Sequence, residues 1–398
     1  MSTPADHAAA RDRAAQAGLA AFGDGWAPSR VAVAPGRIEL IGNHVDYNGG
    51  PVLCAAIDRA VVVAADTGGD AGTVAAVAAD APDLGVGAVP LAIGDWRNPA
   101  SPPRTFDYVR GLVAAAGQRA GTAVRGGTRL AIAGDVPIGF GLSSSAALCV
   151  GLALALVEER PPFADLVLLA QEAEHRAGTP CGTMDQSASV SGGVILYDGA
   201  TLAVTPLSPD LGDHVFVVAD SGVEHALGAS SYPVRVRESA AAREQAAAIL
   251  GRPVPHLAAL SADDLGRLVA LPEPLRSRVR HQVTETARVR EGVVALREAD
   301  WPAFGRLMTA SGRSSATDYA ISHPRVEELV AEALACDGVL GARMMGGGEG
   351  GSILVLARRD RVATLEAALR AGYYRRHGMD GRDGLVHACS FAPGARLD

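Results

Sequence analysis

Three serines follow a glycine-rich loop in Gly134-Asp135-Val136-Pro137-Ile138-Gly139-Phe140-Gly141-Leu142-Ser143-Ser144-Ser145-Ala146-Ala147. A helix start leaves backbone N–H groups unpaired and carries partial positive charge, so it suits phosphate oxygens. Glycine lets that backbone close on a ligand, and serine hydroxyls add donors or an oxygen ligand for magnesium. An N-capped helix after a loop is the plainer alternative. A second segment, Ala34 to Gly50, gathers Asn43, His44 and Asp46 just before the turn signal Asn48-Gly49-Gly50-Pro51. Such paired donors and acceptors suit a polyhydroxyl ligand, against the alternative of a polar loop between strands. A His44–Asp46 metal pair lacks a third ligand at a recognisable spacing. In the third segment, Glu174 to Gln186, the turn Gly178-Thr179-Pro180-Cys181-Gly182 leads to Asp185 near a helix start, where an Asp also serves as cap or dipole partner. The fourth, Gly346 to Gly351, reads as a glycine turn before a strand.

These segments need elements to hold them. The pattern predicts a helix over 5–22, then a strand over Arg30–Ala34 that breaks at Pro35-Gly36 and resumes over Ile38–Ile41. Val52–Ala65 reads as one or two strands, 106–116 as a helix, and 129–133 as the strand entering the serine loop. Helices are predicted over 143–158, 163–176 and 361–371, with several more between 228 and 336. Strands are predicted near 193–197, 214–219, 352–356 and 385–390. Strand groups and helix groups without regular βαβ alternation point to an α+β fold in two lobes, divided in the Pro-containing stretch 206–211 into 1–208 and 209–398.

All 36 basic residues are arginine. Without lysine, the chain can build neither a Walker P-loop, nor the strand lysine of a protein kinase, nor a Schiff base. With 48% hydrophobic residues and 20% charged, a sizeable core is available; aromatics at 4% leave that core to Ala, Val, Leu and Ile. The net charge of −8 argues against a duplex nucleic-acid partner and against an anionic membrane surface. Five cysteines without a CxxC pair fit a reduced, cytoplasmic setting. Met1 to Ala21 lacks the apolar core of a signal peptide, and the longest apolar run, Ala146 to Val157, falls short of the about 20 residues that span a bilayer.

Together and in this order, the four segments resemble the galactokinase branch of the GHMP small-molecule kinases. The first family signature, Gly-Arg-x-x-Leu-Ile-Gly-Glu-His-x-Asp-Tyr-Asn-Gly-Gly, is matched by 36–50 except at Asn43. Pro-x-Gly-x-Gly-Leu-Ser-Ser-Ser-Ala is matched at 137–146, Pro-Cys-Gly-x-Met-Asp-Gln at 180–186, and the Gly-Ala-Arg-Met…Gly-Gly run at 341–351. A fainter Ser-x-Tyr-x-x-Arg echo uses Ser230, Tyr232 and Arg235. The resemblance implies a two-lobed GHMP kinase fold with its active site in the cleft between the lobes, and ATP-dependent phosphorylation of a sugar, galactose first, at the anomeric hydroxyl. Asp185 matches the catalytic Asp that takes the C1 proton. Arg37 matches the arginine that sits beside it, keeps it a carboxylate and balances charge on the transferring phosphoryl. Pro137, Gly139, Gly141, Leu142, Ser143, Ser144, Ser145 and Ala146 match the ATP loop; Ser145 and Glu174 match positions that hold Mg2+. Asn43, His44, Asp46, Gly182 and Tyr232 match sugar-contacting positions. The partners expected are the sugar and ATP alone, with a monomeric enzyme.

The departures bear on the sugar. Asn43 replaces a Glu that resembles a contact to the C6 hydroxyl, so restoring Glu is expected to lower KM for galactose, and the wild type is expected to tolerate changes at C6. Glu349 replaces a Phe, Ser352 a Cys and Asp220 an Asn, and the stretch from Glu174 to Pro180 is one residue shorter than the family pattern. Two other functions stay open on these residues: a related 1-kinase acting on galacturonate or arabinose, and a sensor that binds galactose and ATP without turnover. The intact Arg37, Asp185 and serine loop speak against the sensor.

Overall fold

A computed structural model describes residues 7–98, 102–223 and 231–398. The strands are β1 (Arg30–Ile41), β2 (Pro51–Asp66), β3 (Thr73–Ala78), β4 (Val86–Pro90), β5 (Thr128–Gly134), β6 (Val194–Asp198), β7 (Val204–Leu207), β8 (His214–Val223), β9 (Val339–Met344), β10 (Gly351–Arg358), β11 (Val386–Ala388) and β12 (Arg396–Leu397). The helices are α1 (Ala8–Phe22), α2 (Thr105–Gly117), α3 (Ser144–Leu156), α4 (Phe163–Ala177), α5 (Met184–Ser191), α6 (Tyr232–Leu250), α7 (Ala262–Arg267), α8 (Leu275–Glu298), α9 (Trp301–Thr317), α10 (Pro324–Leu334) and α11 (Val362–Leu369).

β2 is the spine of the first sheet. Its run from Val52 to Asp66 contains no Gly or Pro, so the stretch read as one or two strands forms a single one. β1 pairs along it; β6 pairs with its first half and β5 with its second, giving the order β12-β1-β2-β5-β3-β4 with β6 and β7 to the side. The predicted break at Pro35-Gly36 is instead a bulge within β1, where the register against β2 shifts between Pro35 and Arg37. A bulge kinks one strand without ending it, and here it brings Gly36 under the serine loop. A Cβ on Gly36 would lie 2.8 Å from the Leu142 carbonyl, which itself accepts from the Arg37 N–H at 3.1 Å. Helix α3 is buried from Ala146 to Leu156, as its apolar run requires, and packs on β1 and β2.

The second sheet has the order β11-β8-β10-β9, with Gly346–Gly351 closing the β9–β10 hairpin. Helices α9 and α10 cover it, while α8 runs back to β1 and β2. The chain passes between the sheets from Leu207 to His214, and its last residues cross back: Ala32 pairs with Leu397 and Val33 with Arg396. Strands and helices segregate as expected of an α+β fold. Among the described residues, no helix is long and apolar enough to cross a membrane.

Candidate active site

Asp185 stands in the first turn of α5, and the bulge in β1 delivers Arg37 to it. The guanidinium grips the carboxylate with both prongs, Nε to Oδ1 at 2.7 Å and Nη2 to Oδ2 at 2.8 Å, while Nη1 donates to the Gly141 carbonyl at 2.6 Å. Burial works to lower the Arg37 pKa; Asp185 and Glu39 outweigh it and hold the pKa above its ordinary value. The Asp185 side chain keeps 23% exposure against 5% for Arg37, so it can meet a ligand. The Ser143 hydroxyl donates to Asp185 Oδ2 and makes no cap on α3, with Ser143 in the left-handed region at φ 56°. The serine that would ordinarily cap the helix is spent on the carboxylate, which leaves the α3 N–H groups for an anion.

Glu174 comes to the same place from α4. It is buried, and burial pushes its carboxyl up to about 7, opposed by a hydrogen bond with Ser145 and reinforced by Asp185. Ser145 and Glu174 are therefore adjacent, as the resemblance implied. Among the described residues no group of three or more His, Cys, Asp or Glu could hold a metal. Two oxygen donors beside the glycine- and serine-rich loop would suit a magnesium ion, a hard cation that prefers oxygen. Gln186, fully buried, donates Nε2 to Glu174 Oε2.

Asp46 opens the short turn Asp46–Asn48, and burial pushes its carboxyl up to about 7, with Asp185 and Glu39 adding to the rise. Gly182 leaves room for the Asp46 carboxylate: a Cβ there would run into it and force that side chain to move. His44, at φ 58°, directs Nδ1 to the Tyr47 hydroxyl at 2.9 Å and Nε2 to the Gly347 carbonyl at 3.2 Å. A carbonyl only accepts, so Nε2 carries a proton. Tyr232, at the start of α6, sets its ring 5.3 Å from His44 and 5.2 Å from Tyr47. Its motif neighbour Arg235 pairs with Glu238, while Ser230 lies outside the described residues. Asn43 is fully buried, with its amide bonded to Glu39, Gly346 and Ser315.

Sequence reasoning missed the support behind this loop. On α8, Glu285 accepts from the N–H groups of Gly42 at 2.9 Å and Asn43 at 3.2 Å. His281 Nε2 bonds the Asn43 carbonyl and Gln282 Nε2 the His44 carbonyl, each at 2.9 Å. The signal was the spacing 281, 282, 285, which puts three polar groups on one helical face. Nothing in the sequence marks that face as buried. Among the departures, Glu349 accepts from the Ser231 N–H at 2.8 Å and so holds the entry to α6. Asp220 accepts from the Gly222 N–H at 3.1 Å. Nothing in the structure explains Ser352, whose buried hydroxyl has no partner among the described residues.

Residues 19–67 match the galactokinase galactose-binding signature, 107–193 the GHMP kinases N terminal domain, and 293–375 the GHMP kinases C terminal. The galactokinase of Roseiflexus sp. (strain RS-1) is 38% identical over 383 residues, covering 92% of each chain. The chain belongs to the galactokinase family. The human galactokinase is 37% identical, over 83% of this chain and 84% of its own. A galactokinase of Lactococcus lactis, solved complexed with galactose, superposes with a TM-score of 0.86 at 27% identity, covering 97% of this chain and 99% of that one. Mevalonate kinase, at 16% identity and a TM-score of 0.61 over 91% of this chain and 98% of its own, shares the fold. As a galactokinase-family member with GHMP domains, the chain is an ATP-dependent sugar kinase.

Proposed function

We propose that this enzyme transfers the γ-phosphoryl group of ATP to the C1 hydroxyl of galactose, giving galactose 1-phosphate. One observation carries the reading of the mechanism: a half-buried carboxylate, Asp185, is gripped by Arg37 on one side and by Ser143 of the phosphate loop on the other. That joins a proton acceptor to the place where a triphosphate would lie. Asp185 takes the C1 proton as the sugar oxygen attacks phosphorus, and Arg37 offsets the charge of the carboxylate and of the moving phosphoryl. The loop from Pro137 to Ala146 cradles the phosphates through backbone N–H groups and hydroxyls, a way of doing so that needs no lysine. Asp46, His44, Tyr232 and the space beside Gly182 receive the sugar. Ser145 and Glu174 would hold magnesium, which screens phosphate charge when bound.

The same reading takes the enzyme as a cytoplasmic monomer of two domains, 1–208 and 209–398, that engages neither nucleic acid nor membrane; the charge of −8 supports the last two points. The test is ADP release with galactose, galacturonate, arabinose and glucose, with the phosphate position read by NMR. Galactose 1-phosphate as the fastest-formed product is the expected outcome. Sugar-dependent binding without ADP would make the protein a sensor, and faster turnover of galacturonate would replace the substrate.

A further inference from the structure

Asn43 stands where the family carries Glu, and its surroundings are made for an amide. Nδ2 donates to the Gly346 carbonyl at 2.8 Å and to Glu39 Oε2 at 3.3 Å, while Oδ1 accepts from the Ser315 hydroxyl at 3.0 Å. A carbonyl and a carboxylate accept only, which fixes the orientation of the amide. Arg343, itself fully buried, already pairs with the other Glu39 oxygen at 2.9 Å and donates to the Leu40 carbonyl at 3.2 Å. The backbone of Asn43 is held too, by Glu285 at its N–H and by His281 at its carbonyl. Both amide hydrogens are committed and the side chain is fully buried, so the amide is not presented to a sugar hydroxyl.

What the amide joins is informative. Gly346 and Gly347 each receive a donor from the sugar loop, Asn43 on one carbonyl and His44 on the next. The same glycine turn lies against the phosphate loop: a Cβ on Gly346 would sit 3.5 Å from the Gly141 carbonyl, and one on Gly351 3.3 Å from the Gly139 carbonyl. The sugar loop, the second glycine turn and the phosphate loop are thus stacked in direct contact, with Asn43 at the first junction.

We infer that Asn43 is a positioning residue, a strut that sets the sugar loop against the glycine turn backing the phosphate loop, and that it is not the C6-hydroxyl contact. The inference rests on the proposed sugar and phosphate sites, and it reverses the expectation that Glu at this position improves galactose binding. A carboxylate at 43 would face the Glu39 carboxylate and the Gly346 carbonyl with no donor to offer either.

The two roles differ in what they move. A C6 contact changes KM for the sugar alone, and more for galactose than for 6-deoxygalactose. A strut changes KM for sugar and for ATP together, by the same factor whichever sugar is used. The experiment measures both constants with both sugars in wild type, Asn43→Asp, Asn43→Ala and Ser315→Ala, alongside Tm. Asn43→Asp is nearly isosteric but turns both donor contacts into repulsions. It should raise KM for galactose and for ATP by at least about tenfold each, the size of one lost hydrogen bond to a charged group. Asn43→Ala should move both in the same direction by less, and Ser315→Ala by a few-fold, as expected of one neutral hydrogen bond. If Asn43→Asp does not fold, the other two variants decide. The strut is overturned if, in any folded variant, the two constants do not rise together, or if the effect differs more than about twofold between the sugars. A lowered Tm with both constants unchanged likewise leaves Asn43 as packing only and overturns it. Failure of wild type to phosphorylate galactose is a separate result, against the proposed function, and affinity for a non-hydrolysable ATP analogue then still reports whether Asn43 reaches the phosphate loop.

Discussion

Asp185 gathers three donors from two side chains and keeps a free approach, the arrangement the proposed base needs if a sugar hydroxyl is to reach it. Asp185→Asn preserves shape and removes the proton acceptor, so kcat should fall at least about 10²-fold, with galactose affinity by calorimetry largely kept. Near-wild-type turnover in a folded variant would remove Asp185 from that role. The carboxyls of Asp46 and Glu174, both pushed up to about 7 from ordinary values of 3.8 and 4.5, make a second prediction. A raised carboxyl binds a proton in the native state that the unfolded chain has lost. The contribution of these two groups to stability is therefore full below about pH 4 and is lost as pH rises toward 7. The proposed magnesium role needs Glu174 deprotonated, so on that reading magnesium–nucleotide binding at pH 6.5 should release protons, and KM for magnesium-ATP should fall as pH rises through about 7. Calorimetry in buffers of different ionisation enthalpy counts those protons, and Glu174→Gln should abolish most of the release. An equal count in wild type and variant would exclude Glu174 as their source.

Elements place these residues by devices of uneven visibility in the sequence. The serine loop, the glycine turn and α5 are announced locally, because glycine, proline and serine act through the backbone around them. The bulge in β1 read as a break, since Pro35-Gly36 looks the same in either case until a partner strand is present to carry the register across. Helix α8 hid its purpose for a related reason: His281, Gln282 and Glu285 look like any solvated face, and their burial is decided by the loop at Gly42, Asn43 and His44, far away in the chain, and by α9. Glu285 shows how firm that contact is. Although burial disfavours its charge, Arg288 and His281 lead the groups that bring its carboxyl down to about 2. Its stabilising share is present above the ordinary carboxylate value and is lost as pH falls through about 2. Glu285→Ala strands Arg288 and the two N–H groups of the sugar loop, and should cost about 3–5 kcal/mol by denaturant unfolding. Glu285→Gln keeps an acceptor and should cost less; equal losses would mean the loop is not held through these bonds.

At the scale of the molecule, the proposed division at 208/209 parts the two sheets except for β12, which returns to the first, and it does not part the core. One buried cluster runs from Leu40 and Leu53 of the first sheet through Val289, Val293 and Phe304 to Leu354 and Leu356 of the second. The two halves share this cluster, so ligand-free protein should unfold in a single calorimetric transition whose van't Hoff and calorimetric enthalpies agree. Two resolved transitions would show that the halves are independent. The return of β12 to β1 reaches beyond equilibrium, to the order of events at the ribosome. The strand that carries Arg37 emerges early, yet Leu397, which pairs with Ala32 along its outer edge, is translated far later. Until then that edge is an open template for a neighbouring nascent chain, so the first sheet is sealed only once Arg396 and Leu397 have left the ribosome.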